Sequence, residues 1–452
     1  HLVQNEVARA EAHTIAINDM QYIVPKDGSP IRGLIQDHIL SGVLLTQRDT
    51  FLNRDQFQQL LYYCCWDLHP QSPMIVMPPP AILKPVPLWT GKQVITAMLD
   101  NLLYKLEPLN LTAKCAVPEE MWGKGSNEGI LIIRGNHLLT GSLGKNQFGA
   151  KPHGLVHSVY ELYGPSFSAS LLTVLGRLLT HWLQFIGFTC GMDDTLLHAS
   201  TERDRAAIRV ASDKCGLRQA GIFLGLFKPE TADSLEPITE EEQAYIYDKL
   251  KQMSESAEEW DKWDKHMIGA ASKTTSKIID TCLPKGQIKP FPKNNLGLMT
   301  VSGAKGSRVN FSQISCLLGQ QELEGKRVPL MVTGRSLPSF LPFDPSPRAG
   351  GYVTDRFLTG VRPQEYFFHC MAGREGLIDT AVKTSRSGYL QRCIVKHLES
   401  LVVQYDHTVR DASDGSVLQF RYGEDSVDVV KSGFMEKFEF FAENLDALLQ
   451  AY

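Results

Sequence analysis

With 452 residues, 43% of them hydrophobic, the chain can bury a large core and has length for about two to four domains. Its net charge of −4 excludes a uniformly basic surface, so any cationic face for nucleic acid must be local. Nine cysteines occur without a C-x-x-C pair, which argues against a structural zinc site or a disulfide framework and suits a reducing compartment.

Residues 1–168 read as short strands and loops, punctuated by the turn signals KDGSP (26–30), MPPPAILKPVP (77–87) and GSLGKNQFGAKPHG (141–154). One helix is expected to begin near Asn53, with Phe57, Leu60 and Leu61 at helical spacing, and GILIIRG (129–135) suits a buried strand. The apolar stretch 169–188 carries Arg177 and His181 near its centre. An arginine there would cost about 3 kcal/mol in a bilayer, so a core helix is expected and no membrane span. No methionine precedes His1, and the chain reads as a piece of something longer.

From Thr201 the pattern turns helical. TERDRAAIRVASDK (201–214) reads as one amphipathic helix bounded by Gly216. A second is expected to start at Thr239, with Glu242 three residues on completing a capping box. The mixed charges of 240–266 read as a solvated helix face, and two long helices are expected to form a projecting hairpin. After Pro290 the chain is irregular and glycine-rich, then runs through SQISCLLGQQELEG (312–325) and a proline-rich connector, 336–351. The tail beyond Leu401 is expected to resume short strands and loops.

The segment 363–399 is the most informative. Pro363 suits a first helical position, and about 37 residues at 1.5 Å each predict a helix roughly 55 Å long. Gly373, Gly376 and Gly388 lie inside it, each costing about 1 kcal/mol relative to alanine, which predicts a rod that bends or is closely approached. Its cations Arg374, Lys383, Arg386, Arg392 and Lys396 are spread so as to meet a phosphate backbone. His369 and Cys370, beside Phe367, Phe368 and Met371, read as packing residues.

The wording of that segment resembles the bridge helix in the largest subunit of multisubunit DNA-directed RNA polymerases. GREGLIDTAVKT (373–384) is the string shared by the eukaryotic enzymes, and SRSGYLQRC (385–393) looks like the polymerase I branch, where polymerases II and III typically read AETGY. RGLIQDHILSGVLLTQRDTF (32–51) and PAILKPVPLWTGKQ (80–93) are similar to the pore-domain motifs, and GFTCGMDDT (187–195) to the lead into the funnel helices. SGAKGSRVNFSQISCLLGQQELEGKRVPLM (302–331) looks like the funnel-to-bridge segment. The resemblance implies an α+β multidomain chain with a mixed strand/loop pore region (1–188), a helical-hairpin funnel (189–330), and the long bridge helix with the start of the cleft domain (331–452).

What the residues alone allow is narrower. Lys305 sits in SGAKGS (302–307), where glycines let backbone N–H groups converge on an anion, although the residues alone favour a surface turn with one lysine. The resemblance places Lys305 where the phosphates of the incoming NTP pass, with Gln320, Gln321, Lys326 and Arg327 bracing the bridge helix and lining the nucleotide channel. In the helix, Thr384 and Ser385 match the positions against the templating base pair. Lys383 and Arg392 become candidates for template-phosphate contacts and Tyr389 for stacking. Arg386 replaces a family glutamate, reversing a charge.

In the family, Mg²⁺ is held by three aspartates of an Asn-Ala-Asp-Phe-Asp-Gly-Asp loop. That loop is not in these residues, and His1 resembles a position just after it, so no metal ligand and no catalytic residue is expected here. Asp193 and Asp194 read as a loop or capping pair. The implied function is part of the catalytic subunit of RNA polymerase I, a nucleotidyltransferase making ribosomal RNA precursor in the nucleolus of the nucleus. The implied partners are NTP, the DNA template and RNA–DNA hybrid, the second-largest subunit and other subunits, and a transcript-cleavage factor or subunit at the funnel. The alternatives are a polymerase III or II subunit, or a non-catalytic nucleic-acid-binding scaffold derived from one.

Overall fold

The computed structural model describes residues 2–68, 75–229 and 237–451. It is a mixed α and β chain, mostly helical, with four small sheets of two or three strands among the described residues. Two compact units divide it. The first gathers residues 1–190, 291–307 and 402–452, the second residues 191–290 and 308–401.

The first unit is richer in helix than its turn signals suggest. The helix expected near Asn53 is present as Arg54–Cys65: Asn53 Oδ1 accepts the Gln56 N–H at 2.9 Å and Gln56 Oε1 accepts the Asn53 N–H at 3.1 Å. Residues 1–168 also hold helices Glu6–Thr14, Asp37–Thr46, Gly91–Leu102 and Leu155–Tyr163, which correct the reading of this region as strands and loops. Gly91–Leu102 contains the β-branched run Val94-Ile95-Thr96, a poor helix former on propensity. Burial of Val94, Ile95, Met98 and Leu99, with a Thr90–Gln93 capping box, overrides that preference.

GILIIRG provides strand Ile130–Arg134, the centre of an antiparallel sheet with Leu111–Lys114 and His137–Thr140. Leu131 and Ile133 point into the core while Ile130 is exposed, so the strand is buried on one face only. The apolar stretch forms helix Pro165–Ile186, whose buried stripe runs through Leu171, Val174, Leu175, Leu178, Leu179 and Trp182. Its polar residues find partners on the other side: Arg177 meets Asp67 at 2.6 Å and lies over the Trp66 ring, and His181 stacks on Tyr63 at 3.6 Å. Among the described residues no helix is long and apolar enough to cross a membrane.

The tail holds the expected short strands, Leu401–Val403, Val409–Asp411 and Val417–Gln419, but it ends in helices Phe438–Glu443 and Leu445–Ala451. These dock on the first unit. Asn444 exchanges hydrogen bonds with the Asn110 backbone, both at 2.8 Å, and Glu443 pairs with Arg134 at 2.6 Å.

In the second unit the first helix runs Ala199–Phe223, straight through Gly216. That glycine does not end the helix but admits a neighbour, since a Cβ there would lie 2.5 Å from the Pro345 carbonyl oxygen. The capping box at Thr239 is formed, yet the helix it starts stops at Met253, and a separate one spans Ala257–Cys282. The hairpin therefore pairs Ala199–Phe223 with Ala257–Cys282, with Glu240–Met253 between them in sequence. Ala220, Ile246, Leu250, Met253, Trp263 and Met267 form their common core.

Gly216→Ala is expected to destabilise the second unit by about 1–3 kcal/mol through overpacking. Gly388→Ala, where a Cβ meets open space, is expected to stabilise its helix by about 0.5–1 kcal/mol. Thermal unfolding of the two variants reads both signs.

Candidate nucleic-acid interface and nucleotide channel

The long helix is continuous from Pro363 to Leu398, 36 residues. Pro363 occupies the first turn, where no N–H is needed, and Glu365 Oε2 accepts the N–H of Arg362 at 3.3 Å. Only Glu365 and Phe368 are fully buried in it. At Gly373, Gly376 and Gly388 a Cβ would meet nothing within 4 Å among the described residues.

An ionic network fixes the root of this helix. Glu202, Arg205, Arg209 and Asp213 rise along helix Ala199–Phe223 at intervals of three or four, one face of the helix. Arg209 pairs with Asp355 at 2.9 Å, Arg362 approaches the same carboxylate at 3.4 Å, and Arg356 pairs with Glu202 at 2.5 Å. Arg348 stands 3.5 Å from Glu365. Burial, then the nearby Asp355, pushes the Glu365 carboxyl above its usual range, and burial does the same to Asp213. Sequence reading took 201–214 as merely amphipathic. The recurrence of charged residues at intervals of three or four was the available signal, but the burial of those charges was not visible.

Just beyond the root, the 319–327 segment braces the helix. Gln321 Oε1 is 3.1 Å from His369 Nδ1, whose ring packs edge-on against Phe357. The Glu324 N–H donates to Glu375 Oε1 at 2.8 Å. Gln320 donates to the Gly350 carbonyl at 2.8 Å. Arg327, 7% exposed, pairs with the buried Asp264 at 2.7 Å and lies over the Trp263 ring, while exposed Lys326 reaches Asp261 at 2.9 Å. All four of these site residues thus have partners within the second unit, and only Lys326 does so from an exposed position.

Farther along, Lys383, Thr384, Ser385, Arg386, Tyr389 and Arg392 are all exposed. Lys383 pairs with Asp379 one turn back, and the Thr384 hydroxyl donates to the Thr380 carbonyl at 2.7 Å. Among the described residues no carboxylate pairs with Arg374, Arg386 or Arg392. Fourteen residues separate His369 from Lys383, about 21 Å of helix, so the brace and the distal cations are two clusters, not one. Leu377, Ile378, Tyr389, Leu390 and Ile394 are also exposed, on several faces of the rod.

Lys305 belongs to the first unit, in the loop after helix Asn295–Val301. Gly303 and Gly306 take positive φ, +76° and +78°, as the turn requires. The backbone N–H groups do not converge on an anion, however. Those of Ala304 and Lys305 donate to the Met299 carbonyl at 3.0 and 3.2 Å, and that of Gly303 to Thr300 at 3.3 Å, closing the helix end. What the loop offers is the exposed ammonium of Lys305, with no ion-pair partner among the described residues.

Asp193 and Asp194 act as read from sequence. Asp194 accepts the Gly191 N–H at 2.9 Å, and Lys289 pairs with Asp193 and lies 3.5 Å from Asp194. Among the described residues no group of three or more His, Cys, Asp or Glu is placed to hold a metal ion.

Three family models match in succession: RNA polymerase Rpb1 domain 3 over residues 21–195, domain 4 over 238–353 and domain 5 over 360–435. The chain belongs to the family of RNA polymerase largest subunits. Its relatives carry the name of one branch. It is 55% identical over 450 residues to DNA-directed RNA polymerase I subunit rpa1 of Dictyostelium discoideum, covering 99% of this chain and 27% of that one. Identity is 52% with rpa1 of Schizosaccharomyces pombe and 48% with RPA190 of Saccharomyces cerevisiae, each over 100% of this chain and 26% and 27% of theirs. The chain spans about a quarter of the length of these relatives.

Two outcomes test the geometry. Asp264→Asn strands the buried Arg327 charge and is expected to cost about 3–5 kcal/mol, whereas removing both partners together should cost less. A melting temperature like wild type would show the pair to be dispensable. Because the folded state raises the Glu365 pKa, its stabilising contribution is whole below the ordinary glutamate value of about 4.3 and falls as pH rises past it. Melting curves of Glu365→Gln should therefore depend less on pH, from that value up toward neutrality, than those of the native chain.

Proposed function

We propose that this chain is the pore, funnel and bridge-helix portion of the largest subunit of RNA polymerase I, with the boundaries 1–188, 189–330 and 331–452. The whole enzyme is a DNA-directed nucleotidyltransferase that copies ribosomal RNA genes in the nucleolus. Similarity to polymerase I largest subunits along 99–100% of this chain carries this reading.

The exposed middle of the long helix supplies what a template contact needs. Thr384 and Ser385 are small enough for a base pair to approach closely. Arg386 and Arg392 are cations not neutralised by any described residue, and they offer bidentate donors to phosphate. Tyr389, 73% exposed, presents an aromatic face for stacking, and Lys383 adds a further positive charge. Lys305, with its exposed ammonium, meets the phosphates of the incoming NTP, and Gln320, Gln321, Lys326 and Arg327 hold the wall of the nucleotide channel against the helix. The apolar faces of the helix are covered by the second-largest subunit and other subunits. The helix pair Ala199–Phe223 and Ala257–Cys282 is where a transcript-cleavage factor or subunit docks.

The reaction in this family uses Mg²⁺. The residues here do not fit that ion: Asp193 and Asp194 are engaged by Lys289 and a backbone N–H. Its aspartates are proposed to lie outside these 452 residues, and no step is derived through the metal.

In the assembled polymerase, Lys305→Ala is expected to raise the KM for NTP about tenfold, the loss of about 1.4 kcal/mol of charge pairing, with template affinity unchanged. Arg392→Ala should instead weaken template binding and flatten its salt dependence. Equal KM in Lys305→Ala removes that lysine from the nucleotide path. Gly373→Ala and Gly388→Ala, which disturb nothing inside this chain, are expected to alter elongation rate if the helix bends during translocation. Unchanged rate and pausing exclude that role.

A further inference from the structure

Asp355 joins three elements at the start of the long helix. Its carboxylate accepts Arg209 Nη1 of helix Ala199–Phe223 at 2.9 Å and lies 3.4 Å from Nε of Arg362, the residue that caps the long helix. Its carbonyl accepts the Leu318 N–H at 3.0 Å, at the entry to the segment whose Gln321 meets His369. The next residue, Arg356, donates to the Ser315 carbonyl at 2.7 Å and to Glu202 at 2.5 Å, and Phe357 packs against the His369 ring. The Asp355 side chain is 11% exposed, so its charge acts on both arginines with little screening by water.

Two guanidinium groups share this carboxylate, and they repel each other once its charge is lost. Neutralising Asp355 therefore does more than loosen the root. It drives Arg362, and with it the first turn of the long helix, away from Arg209. The helix transmits that movement as a lever. Thirteen residues, about 20 Å, separate Arg362 from the brace at Glu375, and nine more, about 14 Å, lead on to Thr384. With the brace as pivot, a root shift of about 1 Å moves Thr384 by about 0.7 Å in the opposite sense. Misplacements near 1 Å at a reacting centre cost up to about a hundredfold in rate.

We infer that Asp355 is a positioning residue for nucleotide addition: by holding Arg362 beside Arg209, it sets the line along which the long helix carries Thr384 and Ser385 to the template. It acts through the helix and touches no reacting atom. The inference rests on the polymerase reading above and adds to it a residue that belongs neither to the nucleotide channel nor to the template face.

Single nucleotide additions by stalled elongation complexes of the assembled polymerase test this, because only folded, template-bound enzyme contributes to the signal. Asp355→Asn should lower the addition rate at saturating NTP about tenfold, while the KM for NTP and the salt dependence of template binding stay as in wild type. Arg362→Met should lose as much, and the two changes together no more than either alone, since both remove one contact. Arg362→Lys, which keeps a point charge on Asp355, should retain the rate within about twofold. A merely structural Asp355 would instead reduce the fraction of active complexes and leave the rate of each unchanged. That outcome overturns the inference, as does a raised KM for NTP in place of a slower rate, or losses in Asp355→Asn and Arg362→Met that multiply. Lys305→Ala and Arg392→Ala in the same assay separate the two readings. If they respond as expected while Asp355→Asn keeps its rate, the positioning role alone falls; if no variant responds, the polymerase reading falls with it.

Discussion

Burial of opposite charges at one end of a long helix is the constraint on which the second unit depends. Asp355 is shared between Arg209 and Arg362, and Glu365 sits buried beside Arg348. Such groups are costly to desolvate, and the network is tolerable only because each charge has an opposite within a few ångströms. The consequence is directional: the start of the helix is tied to Arg348 and Asp355, and the 355–356 segment is in turn tied to Glu202 and Arg209 of Ala199–Phe223. The hydrogen bonds of Gln321 and Glu324 extend that hold by about two further turns, to Glu375. Beyond that point the helix receives no comparable support from its own unit.

The free length has a composition unlike that of a solvated helix. Arg386 and Arg392, unpaired among the described residues, are interspersed with leucine, isoleucine and tyrosine on more than one face. A rod of this kind is stable only when other surfaces cover it, because an apolar area of that extent is not left in water. The physical picture agrees with membership in a family whose chains are components of larger enzymes. It also accounts for the three glycines, which serve nothing inside these residues and whose cost must be recovered by whatever lies against them.

Several elements were legible from sequence for local reasons. The caps at Asn53 and Thr239, the strand at 130–134 and the long helix from Pro363 all rest on interactions within four residues or on simple periodicity. What misled was equally local. Gly216 looked like a terminator, although its role is to let the 345–346 backbone lie against the helix. The turn-rich composition of 1–168 hid helices whose apolar faces, such as that of Gly91–Leu102, are stabilised by packing and not by propensity. At the candidate site the split was the same: residue types along the long helix could be read as a cationic, small-residue face, but the engagement of Arg327 by Asp264 and of Gln321 by His369 joins residues 63 and 48 positions apart.

The sequence by itself determined family, the long helix and the residues it presents, since these follow from a continuous string and from the 3.6-residue period. Only the tertiary structure decided which charges are spent inside the protein and which remain available. Arg205, Arg209, Arg327 and Arg356 look no different in sequence from Arg386 and Arg392, yet the first four are held by partners distant in the chain (Arg205 by the Cys316 carbonyl at 2.7 Å) and the last two have none among the described residues. A charge acts on its surroundings according to its burial and its nearest opposite charge. Both are properties of three-dimensional neighbourhood, which one-dimensional order does not contain.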